Sequence, residues 1–456
     1  MAGLYSQLYL GSSALSAHRT GVSAAGHNIA NVNTPGHTRV GVDLRAQNAF
    51  IGGVRSHGYT TSADLILHQR ERLADGDMGR ATDLASAAAS LEGALALESG
   101  SMVDAIAALF GGIVQLSSNP TDGALRGGVV SQAQGASNAF NRAAQAIAES
   151  RNTADDRIVA LTQQATALAQ QIADANQALR STVDSTIIDR RNQAARELSA
   201  IVGGSAHIDS KGSMRYSLEN GTTLVDDIFA SAMTATPDGT NYGGRMRVDV
   251  VSRSRTRDVT TSVTSGQVGA QLEFRDQVAS QMQADLDQLA FDFTSQFNAT
   301  HRNFAGMDGV SGRDFFAPVA AVQGAAAAMA VDAAVVADPG LIAGADPVLG
   351  SGDNAGLAAL AGLATQSLAG TGQSQTFAEA GLTMLSGLGF MVQSAQADQE
   401  VASLRSDSLA AMRDSLTGVS VEEELTRLQG FQRASEASAR VLQTVDSMLG
   451  NLIEML

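Results

Sequence analysis

The 456-residue sequence predicts a mainly α chain with β-rich insertions: an elongated multidomain molecule with paired N- and C-terminal coiled-coil helices, a helical-bundle domain and a small β domain. Three observations carry this reading. Apolar residues recur at heptad spacing at both ends of the sequence. A long interior stretch alternates by three and four without a break. Between Gly203 and Val263 the texture changes to short segments rich in β-branched residues and turn signals.

In the first thirty residues Leu8, Leu15, Val22 and Ile29 keep heptad spacing, with Leu4, Gly11, His18 and Ala25 at the neighbouring positions. This helix is expected to end at Asn31-Val32-Asn33-Thr34-Pro35-Gly36, because proline cannot continue it. A polar, glycine-rich loop is read to about Thr61. Helical patterns follow from Ser62 to Leu97 and from Ser101 to Leu116, punctuated by Asn119-Pro120-Thr121. Between Arg126 and Leu179 the seam runs through Ile158, Leu161, Ala165, Leu168, Ile172, Ala175 and Leu179, and it reads as intramolecular core. Thr186 is read as the cap of a further helix through Ile201. Residues 203–263 read as β-rich, and helix resumes from Gln267 to Ala299 with Met282, Leu286, Leu289, Phe293 and Phe297 on one stripe. From Asn303 to Gly372 the Gly, Ala, Asp and Pro content suggests short strands or turns. The last helices run from Thr376 to Leu416 and, after Thr417-Gly418, from a Ser420/Glu423 capping box to the final residue. That last seam includes Leu428, Phe431, Leu442, Val445, Leu449 and Leu452.

The domain reading is therefore 1–34 with 417–456 as terminal coiled-coil helices, then 35–202, 266–302 and 374–416 as a long-helix bundle, with 203–265 and 303–373 as β-rich outer insertions. Seams at chain ends are either buried within the chain or completed by a partner or by copies of the same subunit. Helices that open and close a chain, with other domains inserted between them, are expected to pair side by side.

Composition argues against several function classes. A net charge of −16 repels a phosphate backbone, so nucleic acid is not an expected partner. The most apolar run, Ala325 to Ala337, is short and carries Asp332, so a membrane is not expected either. There is no cysteine, which removes disulfides, thiolate metal sites and thiol nucleophiles. Lys211 is the sole lysine and no phosphate-binding glycine loop surrounds it; no GxSxG or HExxH occurs. The seven histidines are scattered; His27 and His37 flank a turn but make a weak chelating pair. Asp155-Asp156 and Asp226-Asp227 read as solvated surface charge, Arg253, Arg255 and Arg257 as an exposed strand face, and Glu422 to Glu424 as helix-start electrostatics. No enzyme activity and no cofactor are expected. The amino terminus lacks a basic n-region and a continuous apolar h-region, so a cleaved secretory signal is not expected.

The stretch Gly26-His27-Asn28-Ile29-Ala30-Asn31-Val32-Asn33-Thr34-Pro35-Gly36-His37 resembles the signature that closes the first helix in bacterial flagellar rod, hook and hook-associated proteins, with His37 where tyrosine is usual. The segment from Gly418 to Leu449 is similar to the carboxyl-terminal signature of the same group, with Ser435 in place of a bulky aromatic. Ser118-Asn119-Pro120-Thr121, Asp189-Arg190-Arg191-Asn192, Gly266 to Asp276, Phe297 to His301 and Gly352-Asp353-Asn354 resemble the hook–filament junction branch. The resemblance implies a structural subunit of the bacterial flagellum, assembled as a homo-oligomeric ring between hook protein and hook-associated protein 3. It also implies delivery outside the cell by the flagellar export apparatus, after binding an export chaperone. The implied assembly interface is Leu4, Leu8, Leu15, Val22, Ile29, Asn31, Asn33, Pro35, Gly36, Leu428, Phe431, Leu442, Val445, Leu449 and Leu452, and the implied chaperone surface is Leu442, Val445, Leu449 and Leu452. The alternative is another axial flagellar protein, the hook protein or hook-associated protein 3.

Overall fold

A computed structural model describes residues 2–34, 37–46, 53–61, 65–97, 102–182, 184–253, 255–370 and 372–454. Helices dominate. α1 (Ala2–Ala30) leads into the antiparallel hairpin β1 (Val40–Ala46) and β2 (Val54–Thr61), followed by α2 (Leu65–Leu97), α3 (Met102–Ser118), α4 (Gly123–Leu179) and α5 (Ser185–Val202). Seven short strands come next: β3 (Ser205–Ile208), β4 (Met214–Ser217), β5 (Thr223–Asp226) and β6 (Phe229–Ala230) form one antiparallel meander. β7 (Ala232–Asp238), β8 (Arg245–Val251) and β9 (Thr256–Asp258) form another. The chain returns to helix in α6 (Gly266–Glu273) and, after one π turn at Phe274–Val278, in α7 (Ala279–His301). Short helices α8 (Ala325–Ala328), α9 (Ala333–Ala337) and α10 (Ala355–Gly362) precede the long α11 (Phe377–Thr417) and α12 (Val421–Glu454).

α4 is the spine. Its 57 residues reach about 85 Å at the helical rise, long enough to serve two cores in succession. Asp122 starts it, accepting from the Ala124 and Leu125 backbone N–H groups. The first half of α4 lies in a core built with α2, α3, α7 and α11, where most of the chain's phenylalanines gather. Phe293 sits at its centre, 5.0 Å from Phe377, 5.6 Å from Phe316 and 6.0 Å from Phe110 between ring centroids, all edge-on. The second half carries the predicted seam Ile158, Leu161, Ala165, Leu168 and Ile172. It packs against Leu198 and Ile201 of α5, Met214, Tyr216, Val225, Val248 and Val250 of the sheets, and Val268 of α6.

The two cores are riveted where α4 passes between them. Arg275, fully buried in the π turn, donates to Asp155 of α4 at 2.7 Å and to the Met246 carbonyl at 2.8 Å, while Arg245 reaches Asp155 at 3.2 Å. Asp155 is thus a buried structural carboxylate, not the solvated surface charge that its sequence neighbourhood suggests.

Three further expectations need correction. Residues 40–61 are not all loop: they contain the β1–β2 hairpin, whose register shifts between Val42 and Leu44. α5 is capped by Asp184, whose carboxylate accepts the Thr186 N–H; Thr186 itself lies inside the helix. Residues 303–373 are not β-rich: among the described residues they hold short helices and isolated bridges but no strand. The physical reason is that side chains replace the missing ladder. Asn298 accepts from the Phe315 and Phe316 N–H groups and donates to the Phe316 carbonyl, and Asp287 accepts from Gly324 and Ala326 N–H. His301 contacts the Arg313 carbonyl at 2.8 Å through Nδ1 and accepts from Ala343 N–H at 2.8 Å through Nε2, and burial lowers its pKa. Buried Arg126 of α4 donates to the carbonyls of Pro120 (2.7 Å) and Ile342 (2.8 Å). The segment is wrapped onto the first core through Phe315, Phe316, Ile342 and Leu357.

Candidate assembly interface

α1 carries almost no charge, and its contact with α12 is made by small residues. Gly11, Ala17, Gly21, Ala24 and Ala25 are buried, and a Cβ added at Gly21 would stand 2.6 Å from the Phe431 ring, one at Gly11 2.9 Å from Leu442. Knobs from α12 thus enter a glycine–alanine stripe on α1, and the two helices lie along one another. The heptad leucines stand beside this stripe. Leu8, Leu15, Val22 and Ile29 are half-buried, as are Leu428, Phe431, Leu442 and Leu449, whereas Val445 is only 3% exposed. Leu4 and Leu452 lie on α1 and α12, but their side chains fall outside the described set; Pro35 and Gly36 lie outside the described residues. Tyr5, Tyr9 and Leu10 of α1 and Val421, Leu425, Val441 and Met448 of α12 remain exposed around the pair. The helix pair thus keeps an apolar surface that the rest of the described chain leaves uncovered.

The end of the pair is closed by polar groups. Asn31 donates to the His27 carbonyl at 2.9 Å and accepts from Thr34 Oγ1 at 3.3 Å, shaping the turn, while Asn33 is exposed. Asn28, fully buried, acts as a strand partner for Val40: its Oδ1 accepts the Val40 N–H and its Nδ2 donates to the Val40 carbonyl, both at 2.9 Å. The same Nδ2 donates to Glu424 of α12 at 3.1 Å. Arg39 completes the clasp, reaching Glu424 at 2.8 Å and Glu423 at 2.9 Å. Glu424 is 1% exposed, so its role goes beyond helix-start electrostatics. One buried amide and one buried carboxylate thus tie α1, β1 and α12 together.

Asn28, Arg39 and Glu424 are the residues that sequence reasoning missed as a group. The only available signal was polar residues inside both terminal signatures, since 396 positions separate Asn28 from Glu424. Replacing Asn28 by leucine leaves the Val40 N–H and carbonyl and the Glu424 carboxylate without their buried partner. The expected loss is about 3 kcal/mol of local stability, read as lost hydrogen-exchange protection at Val40. Asn33→Ala, at an exposed site, is expected to stay within about 0.5 kcal/mol. Unchanged protection at Val40 in Asn28→Leu would show that the clasp contributes nothing.

A second polar contact joins this end to the bundle. His37 Nδ1 lies 3.5 Å from Asp189 of α5, the Thr38 N–H donates to Asp189 at 3.3 Å, and the His27 ring stands edge-on to His37 at 5.4 Å. Burial lowers the His37 pKa against the opposing pull of Asp189, and burial raises the pKa of Asp189. Farther along, Arg413 of α11 reaches Glu71 of α2 at 3.3 Å. Burial alone would raise the Glu71 pKa, but the His68 hydrogen bond and the charges of Arg196 and Arg413 outweigh it and hold the carboxylate below its usual range. Among the described residues no group of three His, Asp or Glu side chains is placed to hold a metal ion, and no helix is long and apolar enough to cross a membrane.

Terminal helices clasped to each other, with the rest of the chain inserted between them as a helical bundle, define a structural assembly subunit. The family described as the helical domain of flagellar hook-associated protein FlgK matches residues 88–316, half of the chain. The carboxyl-terminal family of flagellar basal body rod proteins FlgEFG matches residues 415–455, and the flagella basal body rod protein family matches residues 8–38. Flagellar hook-associated protein 1 of Salmonella typhimurium is 26% identical over 319 residues, covering 67% of this chain and 58% of the relative. The protein of the same name from Bacillus subtilis is 23% identical over 491 residues and covers 96% of each chain. The flagellar hook junction protein FlgK from Burkholderia pseudomallei superposes with a TM-score of 0.51 at 23% identity, over 54% of this chain and 46% of that one, and shares its fold. The chain belongs to the FlgK family of flagellar hook-associated proteins, a structural family of the flagellum.

Proposed function

We propose that this chain is the structural junction subunit that joins the flagellar hook to the filament. The observation that carries the reading is the clasped pair of α1 and α12, whose outer faces still expose tyrosine, leucine, valine and methionine side chains. A subunit that spends both chain ends on one helix pair, and leaves that pair incompletely covered, is built to be completed by its neighbours. The neighbours are further copies in a ring, the hook protein on one side and hook-associated protein 3 on the other. The work done is lateral and axial packing, with no covalent step. Residues 1–34 with 417–456 form the inner assembly layer, and 203–265 and 303–373 face away from it. Before assembly, Leu442, Val445, Leu449 and Leu452 are the surface an export chaperone covers, and the chain reaches the cell exterior through the flagellar export route without a cleaved signal peptide.

The internal match to the junction family favours this over the alternative of a hook protein or hook-associated protein 3, because the rod-type matches at the two ends are shared more widely. Deleting the gene and viewing cells by electron microscopy tests it. Complete hooks without filaments, with flagellin lost to the medium, are expected. A chain truncated after Leu442 is expected to restore nothing. Normal filaments in the deletion strain would refute the reading.

A further inference from the structure

From the surroundings of His37 we infer that this residue is an acid-sensitive latch between the clasped end of the molecule and its bundle. When neutral it holds the segment leading into β1 against α5; once protonated it lets that segment go.

The geometry gives the reason. The His37 side chain is 6% exposed, and its Nε2 has no hydrogen-bond partner among the described residues. A second proton on the ring would therefore be buried without an acceptor. The groups facing it come from every packed element. Asp189 of α5 lies at 3.5 Å and the His27 ring of α1 at 5.4 Å. Arg39, Arg413, Asp414 and Glu423 line, together with His37, a polar cavity of about 580 Å³ between the α1–β1 turn and the α11–α12 turn. Glu423 is engaged by Arg39 and Asp414 by Arg413. Asp189 alone is left to balance two imidazoles. Its other oxygen also lacks a partner among the described residues, so the carboxylate is itself incompletely solvated.

The direction of the effect follows from linkage. Burial outweighs the attraction of Asp189 and sets the docked ring below the value of a free histidine. The released ring binds a proton more readily than the docked one. Docking is therefore at full strength above the ordinary value near 6.5 and weakens as pH falls from there toward the docked value. Protonating Asp189 would favour docking, because its pKa is raised by burial, so its contribution runs in the opposite sense.

Hydrogen exchange of the full-length protein, corrected for the intrinsic pH dependence of exchange, tests this between about pH 8 and about pH 5. Protection across residues 37–46 is expected to fall with acidification while protection of α4 holds. The opening constant should grow tenfold for each unit separating the docked and released values. His37→Tyr keeps a ring but carries no proton equilibrium in this range, so its protection over 37–46 is expected to stay level. A flat wild-type profile, or an undiminished fall in His37→Tyr, overturns the latch. Should the variant lose α4 protection as well, the NMR titration of the wild-type His37 ring decides. A ring titrating below a free histidine sustains the proposal; one titrating at or above it overturns it.

Discussion

Gly79→Val is expected to be among the most damaging single substitutions in the bundle. α2 crosses α5 so closely here that a Cβ on Gly79 would stand 2.1 Å from the carbonyl oxygen of Ala200, and 3.0 Å from its carbon. The obstacle is helix backbone in the last turn of α5, which cannot rotate away as a side chain can. The neighbouring contact at Gly76 is also tight, with Ser199 O at 3.2 Å from an added Cβ, so sliding the helices past one another relieves nothing. Ion pairs flank the crossing and fix its register: Arg196 of α5 reaches Asp75 of α2 at 2.8 Å. Separating the helices would also break the hydrogen bond that Ser199 Oγ of α5 donates to the Arg72 carbonyl of α2 at 2.5 Å. The expected loss is about 3 kcal/mol or more, with a fall in Tm of at least roughly 3 °C for a chain of this length, followed by circular dichroism. Gly127→Ala in α4 is the control, since an added Cβ meets nothing within 4 Å, and helix propensity favours alanine by about 0.5–1 kcal/mol. A Gly79→Val protein that melts with the wild type would mean that α2 and α5 do not approach as described.

The helices were readable because their signal is local. Ile158 to Ile172 announce the buried face of α4 through spacing alone, and burial follows that spacing residue by residue. The same logic located the strands of 205–258, where β-branched runs stand between turn residues. It failed where structure is made by polar groups acting at a distance. The β1–β2 hairpin is polar enough to pass for loop, and residues 303–373 hang on Asn298, Asp287, His301 and Arg126, none of which has a periodicity. At the terminal pair the heptad pointed to the correct helices and, on α12, to Phe431 and Leu442, which reach α1; on α1 the closest approach is at Gly11 and Gly21 rather than at the leucines. A seam search scores leucine and valine, whereas closest approach needs glycine and alanine. The Asn28–Glu424 clasp was beyond any local rule, because what makes it matter is burial of both groups in the folded chain.

Gly21→Leu is the expected means of disrupting the terminal pair while leaving the rest of the molecule intact. A Cβ there already meets three ring atoms of Phe431 between 2.6 and 2.7 Å, and leucine adds three further carbons, so either the ring leaves or the helices separate. Neither core contains Gly21 or Phe431, hence the bundle and β regions are expected to keep their fold. In isolation the variant should show α1 and α12 cut early by protease while α4 resists. In cells it should give the phenotype of a missing subunit if assembly runs through this pair. Phe431→Ala alone should be milder, about 1–3 kcal/mol, because the ring is half-buried and its loss opens a groove rather than a cavity. The combination carries the argument. With alanine at 431, the leucine at 21 fills the space that the ring has left, so the double variant should be more resistant to protease than Gly21→Leu alone, with a coupling of about 1–3 kcal/mol. Additive effects would place the two residues out of contact and remove the packing basis of the pair. Strong coupling in the isolated protein, together with unimpaired filaments in Gly21→Leu cells, would keep the pair but take assembly away from it.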